Sequence, residues 1–355
     1  MKHNFGAGPC ILPQEVFKEA AEAVVDFNGL SILEISHRSA GFVAVMEEAQ
    51  ELVRKALNVP NGYSVLFLQG GASLGFTIVA LNMMRDNKKA GYINTGTWAK
   101  GAVNEAKAIG LDVDVFASSE DQNFNYIPKD YVISDDFDFV HYTSNNTIVG
   151  TQFKNAPITS RPLVCDMSSD IFSKPVDVSK FDIIYAGAQK NLGPAGTALY
   201  IVKDELLGKS TSEFMPKYLN LKNHVDKGSM MNTPPVFSVY TSMLNLRHLI
   251  ANGGVQGAAD RNQAKADLLY KEIDNNPLFK GTAELEDRSS MNVTFLLSDD
   301  AKKEEFDKMW NDAGIIGLKG HRSVGGYRAS MYNALTIDSV KTLTEIMSEF
   351  ARVKA

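Results

Sequence analysis

FDIIYAGAQKNLGPAGTALYIV, residues 181–202, contains a single lysine between two apolar runs. The runs, FDIIYAGA (181–188) and GTALYIV (196–202), are predicted to be buried strands, because both are short, apolar and bounded by turn-forming residues. Lys190 therefore stands at the turn between two strands. One interpretation is an ordinary loop lysine. The other is a desolvated amine, whose charged form is disfavoured by burial and which is then available to form a Schiff base with a carbonyl group.

Short apolar runs alternate with helix-like stretches over the first two thirds of the chain. Between two of these runs, apolar residues recur at helical spacing and predict a helix over 98–110. Such alternation is typical of βαβ units, so we predict an α/β fold whose large domain has a mainly parallel, seven-stranded sheet flanked by helices. The candidate strands are YSVLFL (63–68), GYINTG (91–96), LDVDVF (111–116), DFVHYTS (138–144), RPLVCDMSS (161–169), FDIIYAG (181–187) and TALYIV (197–202).

The character of the sequence changes after about residue 238. Long amphipathic helices are predicted as far as Asn275, followed by a strand at 291–297, a helix near 301–313, a Gly-rich segment at 317–330 and a closing helix from Ile337. This mixture predicts a smaller α+β domain. We expect the large domain to comprise 16–250, and the small domain to comprise 1–15 and 251–355.

Composition and charge limit the classes of function. The chain has 355 residues and a net charge of −6, and its acidic and basic residues are mixed, so no basic face for a nucleic-acid backbone is indicated. We recognise neither a signal peptide nor an apolar run long enough to cross a membrane. Cys10 and Cys165 match no metal-ligand spacing, and Cys165 is expected in the core rather than as a nucleophile. We therefore expect a cytoplasmic protein without metal, nucleic-acid or membrane partners.

Polar and Gly-rich residues follow the candidate strands, where ligands of parallel sheets bind. QGGAS (69–73) opens a helix whose free N–H groups would attract an anion such as phosphate, although a tight turn is the other interpretation. Asp166 ends another strand and could cap a helix. With Lys190 it suggests the pyridoxal phosphate arrangement, in which a lysine forms the Schiff base and an acid keeps the pyridine nitrogen protonated. Trp98 could stack on such a ring or belong to the core.

The motifs that carry a family resemblance run from the first ten residues almost to the last thirty. They are NFGAGPC (4–10), ISHRS (35–39), QGGAS (69–73), AGAQKNLGPAG (186–196), NTPP (232–235) and GHRSVGGYRAS (320–330). Together they resemble the phosphoserine aminotransferases, which are fold-type-I pyridoxal phosphate enzymes of the class-V aminotransferase family. The resemblance therefore covers essentially the whole chain.

The resemblance implies that the cofactor is pyridoxal 5'-phosphate (PLP). Lys190 would be the Schiff-base lysine, and Asp166 would pair with the pyridine nitrogen. Trp98 would stack on the ring, and Thr147 would hydrogen-bond on the side of its hydroxyl group. The implied ligands of the cofactor phosphate are Ala72, Ser73 and Gln189 of one chain, with Asn232 and Thr233 of a second subunit. The enzyme would therefore be a homodimer with shared active sites.

Substrate recognition requires cations, because glutamate has two carboxylates and phosphoserine has a carboxylate and a phosphate. By resemblance, Arg38 would lie near the side-chain anion, and Arg322 is a candidate for the α-carboxylate or a neighbouring anion. The other substrate-site candidates are His37, His321 and Arg328, and a solvated arginine is the alternative interpretation of Arg328. Some family members have an arginine where this chain has Ser73, so the division of the anions among these residues is open.

The implied reaction is ping-pong amino transfer between L-glutamate and 3-phosphohydroxypyruvate, giving O-phospho-L-serine and 2-oxoglutarate in serine biosynthesis. A substrate of pyridoxine biosynthesis, 4-phosphohydroxy-L-threonine, is a further candidate. Two alternatives stay open. One is another PLP reaction on the same fold, by a cysteine desulfurase, which needs a cysteine on a mobile loop, or by an alanine–glyoxylate-type transaminase. The other is a non-catalytic module that binds a dinucleotide or a sugar phosphate and would lack the cofactor's absorption.

Overall fold

The computed structural model of the chain describes residues 2–354. Met1 and Ala355, the outer ends of the predicted small domain, lie outside the described residues. The α-helices are α1 (Gln14–Val25), α2 (Ala40–Leu57), α3 (Gly71–Met83), α4 (Thr97–Ala108), α5 (Leu221–Val225), α6 (Val236–Ala251), α7 (Gly254–Asn275), α8 (Lys303–Asp312) and α9 (Ile337–Lys354). The strands are β1 (His3–Asn4), β2 (Tyr63–Leu68), β3 (Lys89–Asn94), β4 (Asp112–Ser118), β5 (Phe139–Thr143), β6 (Asn145–Asn146), β7 (Thr151–Gln152), β8 (Leu163–Asp166), β9 (Ile183–Gly187), β10 (Ala198–Lys203), β11 (Phe279–Gly281), β12 (Asn292–Leu297), β13 (Ile315–Ile316) and β14 (Tyr327–Ser330).

Seven strands form the central sheet in the order β2-β10-β9-β8-β5-β3-β4. β10 runs antiparallel to both of its neighbours, whereas the other neighbouring pairs are parallel. The predicted α/β fold with a mainly parallel, seven-stranded sheet is therefore confirmed. The ends of these strands lie within two residues of the predicted ends, except that β8 stops at Asp166 rather than at Ser169.

Helices cover both faces of the central sheet, which explains why its strands are apolar on both sides. One face packs against α1, α2 and α6, whose buried residues include Met46 and Val239. The opposite face packs against α3 and α4, through residues such as Ile78 and Val103. In this three-layer arrangement the loops at the ends of the strands are free to carry polar residues.

The connection from β2 to α3 depends on two glycines. Gly70 and Gly71 have φ angles of 92° and 59°, a region that other residues rarely adopt. A Cβ atom at Gly70 would also lie 2.4 Å from Cδ2 of Leu74. The glycine pair therefore lets the strand turn directly into the helix, whose first N–H groups have no acceptor within the helix.

A second, antiparallel sheet of β11, β12 and β14 lies in the C-terminal part of the chain. It packs with α7, α8 and α9 around a separate apolar cluster that includes Leu269 and Phe306. Phe5 from the N-terminal segment joins this cluster, and β1 pairs with β13. α7 contributes to both parts of the molecule, because Val255 packs in the cluster beneath the central sheet. The domain boundaries given above stay a prediction. No helix within residues 2–354 combines the length and apolar character needed to span a bilayer.

Candidate active site

Polar residues from several strands meet at one edge of the central sheet. Asp166 ends β8, and its register partners are Thr143 at the end of β5 and Tyr185 in β9. Lys190 follows the end of β9 by three residues. Because neighbouring parallel strands end at the same edge, the loops that carry Lys190, Asp166 and Thr147 lie together.

Lys190 lies under the indole of Trp98. Its Nζ atom is 5.9 Å from the centre of the ring. The indole remains 42% exposed, although tryptophan is usually well buried. Its Nε1 donates a hydrogen bond to Oγ1 of Thr147 at 3.1 Å, which holds the plane of the ring. Trp98 is therefore a fixed aromatic surface beside the lysine rather than part of the core.

The Lys190 amine has an electrostatic environment that favours its neutral form. Burial lowers its pKa below the usual range for lysine, and the Arg328 guanidinium lowers it further, whereas the Asp166 carboxylate raises it. A neutral amine has the free electron pair that a nucleophile or a base requires. The predicted desolvated lysine thus has the physical environment that such a role needs.

Asp166 is held by Ser168, a residue that the sequence analysis did not select. The backbone N and the Oγ of Ser168 both donate to Oδ1 of Asp166, at 2.8 and 2.6 Å. Ser168 Oγ in turn accepts a hydrogen bond from the N–H of Gly187 at 3.0 Å. Within residues 2–354, Oδ2 of Asp166 accepts no hydrogen bond and stays available for a ligand.

Two effects of opposite sign act on the charge of Asp166. Burial raises the pKa of this carboxyl group, while the two bonds from Ser168 and the charge of Lys190 lower it. Hydrogen bonds to the ionised form of an acid stabilise that form. Ser168 therefore helps Asp166 to stay negative in a buried site. The Asp-x-Ser spacing is a common turn signal and could have revealed this contact in advance.

The N-terminal segment fixes the backbone around Lys190. The N–H of Cys10 donates to the carbonyl of Gln189 at 3.0 Å, and the Cys10 thiol donates to the carbonyl of Lys190. Burial raises the pKa of this thiol to about 12, so it stays protonated and acts as a donor. On the other side, the amide of Asn245 donates to the carbonyls of Asn191 and Leu192. Contacts from distant segments therefore set the path of the chain at the lysine.

Two of the predicted phosphate ligands directly follow the turn between β2 and α3, and a third, Gln189, follows β9. Ala72 and Ser73 are in the first turn of α3, where their N–H groups face away from the helix and Ser73 is exposed. Gln189 folds over Gly187, whose Cβ position lies 2.6 Å from the Gln189 Oε1 atom. These positions provide donors without a buried cation, in keeping with the dipole of a helix N-terminus.

Asn232 and Thr233 contact Gln69 of the same chain. Asn232 Nδ2 donates to Gln69 Oε1, and Gln69 Nε2 donates to the Thr233 carbonyl, both at 2.8 Å. Thr233 itself is exposed. Their predicted role, at the phosphate of a second subunit, stays a prediction.

The candidate substrate-binding cations differ in how deeply their side chains are buried. Arg328 in β14 is partly buried and donates from Nη1 to the carbonyl of Thr147 at 3.2 Å, while its buried Nε has no acceptor within residues 2–354. Arg322 is exposed in the preceding loop. The pKa of His321 is lowered by partial burial and by the charges of Arg328 and Arg322, so these three residues lie close to one another. Of the predicted arginines, Arg328 is the one whose charge acts on Lys190.

His37 and Arg38 precede α2. His37 is buried, and its Nε2 has no hydrogen-bond partner in the described part of the chain. Its pKa is lowered by burial and by the adjacent Arg38. Arg38 is exposed, and among the described residues its charge is not one of those that shift the pKa of Lys190. The structure therefore brings Arg328 to the lysine, and leaves Arg38 at the surface.

Comparison with known proteins adds to this geometry. The family model for class-V aminotransferases matches residues 3–343. The chain belongs to this family. It is 60% identical over 351 residues to the phosphoserine aminotransferase of Flavobacterium psychrophilum, with 98% of both chains covered.

Solved structures of phosphoserine aminotransferases share the fold of this class-V aminotransferase. The protein from Bacillus circulans subsp. alkalophilus has a TM-score of 0.96 at 43% identity, with 100% of this chain and 99% of that chain covered. The PLP-bound protein from Trichomonas vaginalis has a TM-score of 0.93 at 33% identity, with 98% and 100% covered. The predicted family resemblance and the predicted aminotransferase class are confirmed.

The residues of this class-V aminotransferase fit PLP on three observations. An exposed indole lies over an amine whose pKa is lowered by burial. Asp166 is a buried residue, and its Oδ2 accepts no hydrogen bond in residues 2–354. The first turn of α3 presents N–H groups to an anion. An aldehyde, a ring nitrogen and a phosphate require these three kinds of partner.

Proposed function

We propose that this class-V aminotransferase is a phosphoserine transaminase that uses PLP. It transfers the amino group of L-glutamate to 3-phosphohydroxypyruvate and gives O-phospho-L-serine and 2-oxoglutarate, a step of serine biosynthesis. The main supporting observation is the Lys190 amine beneath the Trp98 ring with Asp166 beside it. The similarity to a phosphoserine aminotransferase that is 60% identical over nearly its whole length supports the choice of substrates.

When bound, PLP supplies an aldehyde that condenses with amines and a ring that accepts the electron pair released at the substrate α-carbon. With PLP bound, Lys190 would hold it through its aldehyde. Because burial lowers the pKa of Lys190, its Nζ would be suited to move a proton between the substrate α-carbon and the acceptor carbon. Oδ2 of Asp166 would pair with the protonated ring nitrogen, because Ser168 helps to maintain the negative charge of this carboxylate. Trp98 would stack on the ring, and Thr147 would hydrogen-bond on the side of its hydroxyl group.

The phosphate is bound by donors from two chains in this proposal. Ala72, Ser73 and Gln189 act within one chain, and Asn232 with Thr233 act from a second subunit. The exposure of Thr233 supports a contact outside its own chain. The working enzyme is then a homodimer, and we expect it in the cytoplasm, where Cys10 and Cys165 stay reduced thiols.

The burial of these cationic side chains suggests which of them binds each substrate anion. Arg328 binds the α-carboxylate, which glutamate and phosphoserine share, because it is the arginine whose charge reaches Lys190. Arg322 and His321, in the loop that precedes it, bind the phosphate or the second carboxylate, together with Arg38 and His37. This division changes the initial expectation for Arg322, which is exposed.

The alternative activities have less support. A cysteine desulfurase needs a reactive thiolate on a mobile loop, whereas burial raises the pKa of both thiols here. An alanine–glyoxylate aminotransferase from Nostoc sp. shares 17% identity with this chain, which shows the fold alone. A simple binding module has no use for a lysine with a lowered pKa beneath an exposed indole.

The test is to incubate the protein with PLP, glutamate and 3-phosphohydroxypyruvate and to measure phosphoserine and 2-oxoglutarate. Parallel reactions contain glyoxylate as acceptor, cysteine as substrate, or 4-phosphohydroxy-L-threonine as donor. Borohydride reduction followed by peptide mapping locates the attached cofactor. We expect attachment at Lys190, and Lys190→Ala to fold but to lose turnover.

Lys265 is the matched control for this mapping, since it is also a buried lysine with a pKa lowered by burial. Its Nζ donates to the carbonyls of Met331, Tyr332 and Leu335 at 2.9–3.0 Å, and these three acceptors favour the protonated amine and oppose the effect of burial. Cofactor on Lys265 or on any lysine other than Lys190 would refute the assignment. Absence of phosphoserine with efficient turnover of glyoxylate would refute the choice of substrate.

A further inference from the structure

The side chain of Gln69 makes three hydrogen bonds to one distant segment of the chain. Gln69 follows β2 and precedes Gly70 and Gly71, the glycine pair that connects β2 to α3. Its Oε1 accepts hydrogen bonds from the hydroxyl of Tyr218 and from Nδ2 of Asn232, each at 2.8 Å. Its Nε2 donates to the carbonyl of Thr233, also at 2.8 Å. All three bonds connect the end of β2 to the segment 218–233, about 150 residues later in the chain.

These bonds hold Asn232 and Thr233 while leaving them able to bind something else. The carbonyl of Thr233 is occupied, but its hydroxyl has no partner within residues 2–354 and the residue is exposed. The Asn232 amide donates one hydrogen bond to Gln69. Its second hydrogen bond, to the Thr233 carbonyl, is long, with 3.3 Å between Nδ2 and the oxygen. Pro234 and Pro235 stiffen the chain directly after the pair.

We propose that Gln69 is a positioning residue for the active site of the partner subunit. The proposal rests on the proposed function, in which Asn232 and Thr233 of one chain bind the cofactor phosphate of the other. Gln69 fixes the orientation of that pair before the cofactor arrives, which lowers the entropy lost on binding. The end of β2 then serves two sites: Ala72 and Ser73 bind the phosphate of their own chain, and Gln69 acts on the partner's.

The chemistry of the amide explains why glutamine suits this position. Two donors, Tyr218 and Asn232, approach its oxygen, and one acceptor, the Thr233 carbonyl, approaches its nitrogen. A carboxylate would keep both donors but would face the carbonyl with a second oxygen, so the bond to Thr233 would be lost. Gln69→Glu therefore removes one contact with little change of volume, and Gln69→Leu removes all three.

The experiment uses two hybrid dimers, each with one Lys190→Ala chain, so that a single site per dimer can attach PLP covalently. In hybrid one, the chain that keeps Lys190 carries Gln69→Leu, and the Lys190→Ala chain has an intact Gln69. In hybrid two, the Lys190→Ala chain carries Gln69→Leu, and the other chain is unchanged. The concentration of PLP needed for half-maximal attachment is measured from the absorption of the attached cofactor.

If Gln69 acts across the interface, hybrid two needs about tenfold more PLP than a reference hybrid that has Gln69 in both chains, which corresponds to about 1.4 kcal/mol for the lost hydrogen bonds. Hybrid one should match the reference. Hybrid two with Tyr218→Phe in place of Gln69→Leu should show a smaller weakening, because one bond is removed. A purely structural defect at Gln69 would not depend on which chain carries the change.

The outcomes separate this proposal from the function on which it rests. Weakening in hybrid one alone, or equal behaviour of the two hybrids, would overturn the role of Gln69 across the interface. A wild-type protein that attaches no PLP would refute the proposed function itself, before any change at position 69. A reference hybrid that attaches PLP while Asn232 and Thr233 prove unnecessary would reject the shared site and Gln69's role with it.

Discussion

The hydroxyl of Ser168 connects the charge of Asp166 to the backbone next to Lys190. It donates to Asp166 Oδ1 and accepts from the N–H of Gly187, the last residue of β9. Because the N–H of Gly187 occupies one side of the oxygen, the hydroxyl proton is directed at the carboxylate. One small side chain therefore orients Asp166 and favours its ionised form.

Ser168→Ala should weaken PLP binding about tenfold or more, since a hydrogen bond to a charged group is lost. The sign of the pH effect follows from the pKa of Asp166, which burial raises and Ser168 lowers. Without the hydroxyl the pKa of Asp166 rises further. When the pH is lowered, Asp166 of the variant is therefore protonated at a higher pH than Asp166 of the wild type. The acidic limb of PLP binding, and of turnover, should move to higher pH. Equilibrium binding measured across the pH range checks this.

A matched control exists at the surface. Ser179 donates from its backbone N and its Oγ to Oδ1 of Asp177, at 3.1 and 2.5 Å, in the same Asp-x-Ser geometry. Ser179→Ala should leave PLP binding and its pH dependence unchanged, and Ser168→Thr, which keeps the hydroxyl, should recover most of the loss. Identical pH profiles for Ser168→Ala and the wild type would show that Ser168 does not set the charge of Asp166.

Alanine variants of Arg328 and Arg38 should have different effects on substrate binding. Arg328→Ala should weaken both glutamate and phosphoserine, because both have an α-carboxylate, by roughly ten- to a hundredfold. Arg38→Ala should affect the side-chain anion and should leave the absorption of the bound cofactor intact. Arg352, which pairs with Glu349 on α9, provides a control. Arg352→Ala should change the affinity for neither glutamate nor phosphoserine. Normal kinetics for Arg328→Ala would remove this residue from the site.

Helix α3 carries Ala72 and Ser73, the proposed phosphate donors, and its distance from the sheet depends on Gly75. A Cβ atom at this position would lie 2.8 Å from Cδ2 of Tyr185 and 3.2 Å from the hydroxyl of Tyr200. Both tyrosines are fully buried in the sheet. The absence of a side chain at Gly75 therefore lets α3 lie close against β9 and β10, with Ala72 and Ser73 at the carboxyl end of β2.

Gly75→Ala should lower the free energy of unfolding by roughly 1–3 kcal/mol, since overpacking outweighs the gain in helix propensity. It should also weaken PLP binding, because the first turn of α3 must move away from the sheet. Gly41→Ala in α2 is the control, as its Cβ would meet its nearest neighbour at an ordinary 3.4 Å. Denaturant unfolding compares the two variants, and equal stability would contradict the close-packing argument.

Buried amides near the site connect the part of the molecule that contains the central sheet to the part that contains β11, β12 and β14. Asn145, after β5, donates to Ser169 Oγ and to Asn292 Oδ1, both at 2.8 Å. The N–H of Asn333 donates to the side chain of Asn191, next to Lys190, at 3.0 Å. Buried polar groups that find all their partners favour one arrangement over others. The C-terminal part is thus oriented relative to the central sheet, and Arg328 is carried to the lysine.

A mixed-dimer experiment tests whether two molecules complete each site. Lys190→Ala and the double variant Asn232→Asp, Thr233→Asp should each be nearly inactive, the second because carboxylates repel the phosphate. After random exchange of subunits in an equal mixture, half of the dimers are mixed and have one intact site, so activity should recover to roughly a quarter of wild type. No recovery after verified exchange would reject shared sites, even in a dimeric protein.

Much of the fold follows from local sequence patterns. Strand β2 begins and ends where the apolar run 63–68 predicts, because burial on both faces requires continuous apolar residues. β8 is shorter than predicted, since Ser168 donates to Asp166 and turns the chain there. Lys190 and Asp166 could also be found in the sequence, as they follow apolar strands in a parallel sheet, whose strand ends collect ligands.

Other features were decided only when distant segments packed together. Arg322 and Arg328 belong to one Gly-rich motif, but the pairing of β12 with β14 brings Arg328 to Thr147, while Arg322 stays exposed. The bonds of Gln69 to Asn232 and Thr233 span more than 160 residues. Periodicity and turn chemistry act over a few neighbouring residues, so they define strands, turns and their terminal side chains. Which side chains then meet depends on the register and packing of whole elements, and the tertiary structure alone supplies that.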